Sequence, residues 1–198
     1  KPAKEVTDES PRIAIMTSGW PAPGMNNAIR TVVRVAMNAG HKVIGIEDGV
    51  EGLIAGRFRE LSWMEVDNWA GSAGTKLGTN RTLPTEKDFY RIAVNLEKNR
   101  IDGLLIMGGW TAFTLATQLH KHRDTFEIFR IPLICIPATI NNNMPGVEHS
   151  IGCDTALNTI VQAIDKIKNS ADSARRLFIV EVMGHKVGWL TLHAGIAG

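Results

Sequence analysis

Apolar residues fall into two kinds of segment that alternate from one end of the chain to the other. Five are short, mostly apolar runs bounded by turn residues: Ile13 to Met16, Val43 to Ile46, Asp102 to Met107, Ile131 to Ile136 and Leu177 to Val182. Continuous rather than alternating apolar runs of this length predict strands buried on both faces. Between them, apolar residues recur at helical spacing. Asn26 to Asn38 places Ala28, Ile29, Val32, Val33 and Ala36 on one face, with Gly40 at the C-terminal cap position. Thr85 and Asp88 open a second helix, with Phe89, Ile92, Ala93 and Leu96 on its apolar face. A third runs from Thr111 to about His122. The clearest follows Asp154: Leu157, Ile160, Val161, Ile164 and Ile167 are expected to face inward, and Asn158, Gln162, Asp165 and Lys168 outward. Gly188 to Ala197 begins another. Glu47 to Leu61 has little period and predicts a loop with a short helix. Trp63 to Arg81 is the longest irregular stretch and carries Gly71, Gly74 and Gly78; a long glycine-rich loop inside a domain is commonly functional.

This alternation predicts an α/β fold, a doubly wound and mostly parallel sheet with helices on both faces. The loops that follow the strands then gather at one edge: Thr17–Gly24, Gly108–Thr111, Thr139–Asn143 and Met183–Gly188. Open α/β sheets bind ligands at that edge, where helix N-termini present free N–H groups. The stretch from Ile136 to Ala156 is the centre of the expected site. A strand delivers the chain to Asn141, Asn142 and Asn143, Pro145-Gly146 breaks the backbone, and Asp154-Thr155 opens the long helix.

Composition narrows the function classes. The chain has 198 residues, 44% of them hydrophobic, and a formal net charge of +2. That charge argues against a surface built for nucleic acid or anionic membrane. No apolar run has the length of a membrane span and no signal-like segment precedes the first strand, so the cytoplasm is the expected compartment. Cys135 and Cys153 have no metal-ligand spacing and are expected to be reduced, packed thiols. Residues 1–11 read as a polar connector and residues 12–198 as the folded domain. Its last residues stop inside a helical pattern, so a longer polypeptide is expected.

Phosphate binding needs convergent backbone N–H groups, small residues and fixed cations. Glycines 19, 24, 108, 109, 184 and 188 and the cations Arg81, Arg176 and Lys186 supply candidates. Phosphoryl transfer needs more, namely a carboxylate for magnesium and one to orient or deprotonate the attacking hydroxyl. The edge loops hold none. Gly108-Gly109 is followed by Trp110, and the Thr139 turn holds amides, which cannot take a proton at neutral pH. Of the nearby acids, Asp154 suits a helix N-terminus, Glu181 lies in an expected strand, and Glu148 is the third. Trp20 and Trp110 each follow a glycine in an edge loop, where an indole fills space a nucleotide would need. The residues thus point to a site that binds a phosphorylated ligand without transferring its phosphate.

These motifs together are highly specific: T-S-G-x-x-A-P-G-M-N-N-A-I-R from Thr17, L-G-T-N-R ending at Arg81, the pair Gly108-Gly109, P-A-T-I-N-N-N from Pro137, S-I-G-C-D-T-A-L-N-T-I from Ser150, and R-L-F-I-V-E-V-M-G from Arg176. From Arg12 onward the chain resembles the 6-phosphofructokinase family. The resemblance implies the large lobe of that fold, with the smaller second lobe missing. For the parent protein it implies an allosteric, homo-oligomeric, glycolytic kinase that uses ATP and Mg to convert fructose 6-phosphate to fructose 1,6-bisphosphate. Catalytic members of the family carry an aspartate after the paired glycines for magnesium and a T-I-D-N-D turn whose first aspartate is the base. Here Trp110 replaces the former, and Asn141 and Asn143 replace the two aspartates of the turn. In this the chain is similar to the C-terminal halves of eukaryotic enzymes, in which the old fructose 6-phosphate pocket serves the activator fructose 2,6-bisphosphate. The resemblance therefore implies no catalytic residue, metal or cofactor in this segment. It places effector contacts on Arg81, Thr139, Ile140, Asn141, Asn142, Asn143, Arg176, Met183, Gly184 and His185, with Arg176 serving a neighbouring subunit's pocket. A catalytic half and neighbouring subunits are the implied partners. Two other readings stay open at this point: a structural half with an empty site, and a divergent sugar-phosphate kinase active in its own right.

Overall fold

The computed structural model describes residues 4–184 and 186–198. The four earlier apolar runs are all strands: β1 (Arg12–Ser18), β2 (Lys42–Ile46), β4 (Gly103–Gly108) and β5 (Leu133–Pro137). Helices α1 (Met25–Asn38), α3 (Asp88–Lys98), α4 (Trp110–Lys121), α5 (Cys153–Ala174) and α6 (Trp189–Ala197) lie where the period places them. Glu47 to Leu61 folds into a short helix, α2 (Gly49–Ala55), and then a strand, β3 (Phe58–Leu61), that the pattern does not predict. β3 is only four residues long and carries Arg59 and Glu60 in its middle, so no apolar run marks it.

The five strands stand in the order β3-β2-β1-β4-β5. β1 pairs in parallel with both β2 and β4, β4 pairs in parallel with β5, and β3 alone runs antiparallel, along β2. The mostly parallel, doubly wound α/β sheet is therefore present. Successive residues of β1 serve opposite faces, as strand geometry requires. Ala14 and Met16 pack with Leu53, Phe89, Ile92, Leu96 and Leu115 from α2, α3 and α4. Ile15 packs on the other face with Met25, Ile29 and Val33 of α1. Both cores are apolar, which explains why the strands read as continuous apolar runs. Trp69 belongs to the α1-side core, and the Arg34 guanidinium lies 4.9 Å from the Trp63 ring centroid, so those two indoles serve packing.

Two expectations fail after Ala138. Leu177 to Val182 is not a strand: it has no ladder partner among the described residues, and Leu177 and Ile179 are 88% and 92% exposed. An apolar run becomes a strand only where a neighbouring edge lies within hydrogen-bonding distance, and here the chain has already left the sheet through α5. The apolar stripe of α5 is likewise not buried. Leu157, Ile160, Val161, Ile164 and Ile167 are only half-covered, Cys153 is the helix's one buried residue, and the helix packs on α6. Helical period shows which side of a helix wants cover but not what covers it. No helix among the described residues is long and apolar enough to cross a membrane.

Candidate functional site

The strand order reverses at β1, which sends its connection to β2 on one side and finds β4 on the other. The C-terminal ends of β1 and β4 therefore diverge into separate loops, and the crevice between them is the topological switch point where such sheets hold ligands. A cavity of about 380 Å³ occupies it, lined by Gly19, Trp20, Arg81, Gly109, Trp110, Thr111, Ala138, Thr139, Asn141 and Asn143. Three of the four edge loops contribute, joined by the end of the glycine-rich stretch.

Small residues let these loops converge. A Cβ on Gly108 would fall 1.9 Å from the Ser18 carbonyl oxygen, so only glycine lets β4 run this close to β1 at the mouth. The glycine-rich stretch is held down rather than loose. Asn26 is buried in the first turn of α1; its amide donates to the carbonyls of Ser72 (3.0 Å) and Ala73 (3.2 Å), and its Oδ1 accepts from the Lys76 N–H at 2.7 Å. The Thr17 hydroxyl donates to the Gly78 carbonyl at 2.6 Å. Those clamps deliver Arg81 to the cavity. Asn26 escapes the sequence because an asparagine at a helix start reads as an ordinary cap.

The three consecutive asparagines do different jobs. Asn142 adopts φ 47°, in the left-handed region that asparagine tolerates better than most residues. Its Oδ1 accepts from the Ser150 N–H at 2.9 Å, and its amide donates to the Glu148 carbonyl at 2.9 Å. Ser150 is itself buried and donates to the Thr139 carbonyl at 2.6 Å. Asn142 and Ser150 thus tie the loop shut, leaving Asn141 and Asn143 at the cavity wall. Ile140 points away into the α1-side core. The N-terminus of α4 carries no side-chain cap, and its first residues, Trp110 and Thr111, line the cavity. That leaves peptide N–H groups free for an anion.

Not every expected residue is brought to this cavity. Arg176, Met183, Gly184 and Lys186 lie in the segment between α5 and α6 and are absent from the lining; Met183 is 74% exposed. His185 lies outside the described residues. No carboxylate lines the cavity among the described residues, nor do three His, Cys, Asp or Glu side chains gather anywhere among them as a metal-holding group. Asp154 sits in the first turn of α5 as expected, and Glu181 is exposed. Both cysteines are free thiols, and partial burial pushes the Cys135 thiol pKa above its ordinary value.

The phosphofructokinase sequence family matches residues 12–198. The chain belongs to the phosphofructokinase family. A muscle-type ATP-dependent 6-phosphofructokinase from Equus caballus is 46% identical over 186 residues, covering 93% of this chain and 24% of the relative. An ATP-dependent 6-phosphofructokinase from Aspergillus fumigatus is 43% identical over 198 residues, covering 96% of this chain and 24% of the relative. The chain thus spans about a quarter of the length of these curated relatives. Pichia pastoris phosphofructokinase, solved in its T-state, superposes with a TM-score of 0.92 at 40% identity, covering 98% of this chain and 21% of that one. Within the phosphofructokinase fold, the cavity at the β1–β4 crevice carries the neutral residues Trp110, Asn141 and Asn143 at the positions that the sequence singled out.

Proposed function

We propose that this chain is a catalytically silent part of an ATP-dependent 6-phosphofructokinase, and that its switch-point cavity binds the activator fructose 2,6-bisphosphate. One observation carries the reading: the cavity offers a cation, an uncapped helix N-terminus and neutral amides, and no carboxylate among the described residues lines it. A doubly phosphorylated sugar needs donors and positive potential, which Arg81, Thr111, Thr139, Asn141 and Asn143 supply. Magnesium-ATP does not fit the same wall, because a hard cation needs oxygen ligands of which some are carboxylates. Phosphoryl transfer, with its Mg and ATP, then belongs to a companion catalytic half. Arg176, Met183, Gly184 and His185 would meet sugar phosphate only in the assembled protein, through neighbouring subunits.

The test is calorimetric titration of the full-length protein with fructose 2,6-bisphosphate, comparing wild type with Asn141→Asp. A carboxylate placed about 5 Å from a phosphate charge costs about 3 kcal/mol at an effective dielectric of about 20. The substitution should therefore weaken binding about a hundredfold. An unchanged affinity in Asn141→Asp, or magnesium-dependent turnover traced to this segment's own cavity, would overturn the reading.

A further inference from the structure

Arg81 is the one cation in the cavity lining, and it makes no ion pair among the described residues. Among the described residues its side chain meets Trp20, whose ring centroid lies 5.4 Å from the guanidinium carbon. Trp20 is 68% exposed, so it is not there to fill a core. The two residues are locked together through their neighbours. The Gly19 N–H donates to the Asn80 carbonyl at 2.7 Å, and the Thr79 hydroxyl donates to the Gly19 carbonyl at 2.9 Å. The residue before Trp20 is thus bonded to the two residues before Arg81. That double tie fixes where both side chains leave the backbone and sets the indole face against the guanidinium.

We propose that Trp20 is a positioning residue for Arg81: its indole face holds the guanidinium at the cavity, so that an incoming phosphate group meets a cation already in place. This rests on the proposed binding of a sugar bisphosphate and adds how the site is prepared for it. A carboxylate in Trp20's position would also hold an arginine, but it would cancel the charge that the phosphate is to meet. An aromatic face holds the cation through the ring quadrupole and leaves its N–H groups and charge available. Without the face, the arginine spreads over solvent rotamers and must be reordered on binding.

The experiment is a double-mutant cycle on the full-length protein, with fructose 2,6-bisphosphate affinity read by calorimetry and each variant's fold checked by thermal melting. Trp20→Leu, which keeps an apolar side chain without the quadrupole, should weaken binding about two- to fivefold, the range of an exposed cation–π contact. Trp20→Phe keeps a π face and should stay within about twofold of wild type. In an Arg81→Ala background, Trp20→Leu should change nothing further. The proposal is overturned if Trp20→Leu binds as wild type does while Arg81→Ala is weakened, or if Trp20→Leu still weakens binding when Arg81 is absent. Wild type that binds no sugar bisphosphate overturns both this and the proposed function, whereas the preceding outcomes overturn the positioning role alone.

Discussion

Asn142 and Asn143 are chemically identical neighbours that the fold uses in opposite ways. The first spends its whole amide inside its own loop; the second stands at the cavity wall and makes no side-chain hydrogen bond among the described residues. Removing the Asn142 amide strands the buried Ser150 N–H and places a less tolerant residue at positive φ. A buried donor left unpaired costs about 1–3 kcal/mol. Asn142→Ala is therefore expected to lower unfolding free energy by that amount, whereas Asn143→Ala should stay within about 0.5 kcal/mol of wild type. Urea denaturation of the two variants side by side checks the contrast, and equal midpoints would refute it. The residue scale is also where the sequence was least legible. Three asparagines in a row announce a polar turn, but which of them turns inward depends on Ser150, eight residues further on. Arg81 and Thr139 could be picked out because they sit beside glycines or a strand end. Asn26 could not, since its partners are backbone atoms some fifty residues away.

At the level of elements, α3 and α4 meet in a histidine latch. His122 caps the C-terminus of α4; its Nδ1–H donates to the Gln118 carbonyl at 2.9 Å, and its Nε2 lies 3.1 Å from Glu86 just ahead of α3. Its ring stacks on Phe89 of α3 with centroids 3.8 Å apart. Both recorded partners are acceptors, so the geometry suits the imidazolium, in which both ring nitrogens carry protons. The Gln118 carbonyl first, and then the Glu86 carboxylate, raise the His122 pKa above its ordinary value, against desolvation and the Lys121 charge. A raised folded-state value means the latch stabilises the fold fully below about pH 6.5, the unfolded value, and fades as pH climbs through the higher folded value. Glu86 is 85% exposed, so the carboxylate's share is at the small end for surface pairs. Chemical denaturation across pH 5 to 9 should show stability falling with rising pH in wild type, and a flatter profile in His122→Gln; parallel profiles would sink the latch. The elements themselves were mostly legible, because β1, β2, β4 and β5 are buried on both faces and so are apolar throughout. β3 was hidden by being short, charged and at the sheet's edge, and Leu177–Val182 misled because apolar character alone does not supply a neighbour to pair with.

For the molecule as a whole, the well-covered part ends near the closed loop at Ser150, and the surfaces beyond it are open. Leu177, Ile179, Met183, Leu192 and Ile196 are each at least 60% exposed. A second apolar surface, a groove of about 640 Å³, runs between Val32 and Val35 of α1 and Leu105 and Ile134 of β4 and β5. Large exposed apolar surfaces are uncommon on monomers and favour association. The 198-residue chain by itself is therefore expected to self-associate at micromolar concentration, with a weight-average mass that rises on concentration in analytical ultracentrifugation. Leu177 and Ile179 touch little in this fold, so replacing both with glutamate should leave its stability within about 1 kcal/mol while shifting the population toward monomer. The groove stays intact in that variant, so association should be reduced rather than abolished, and adding Val35→Glu on the exposed side of α1 should lower it further. A chain that is monomeric at every concentration, or a double glutamate variant that associates as wild type does, would show that these surfaces are not what holds copies together.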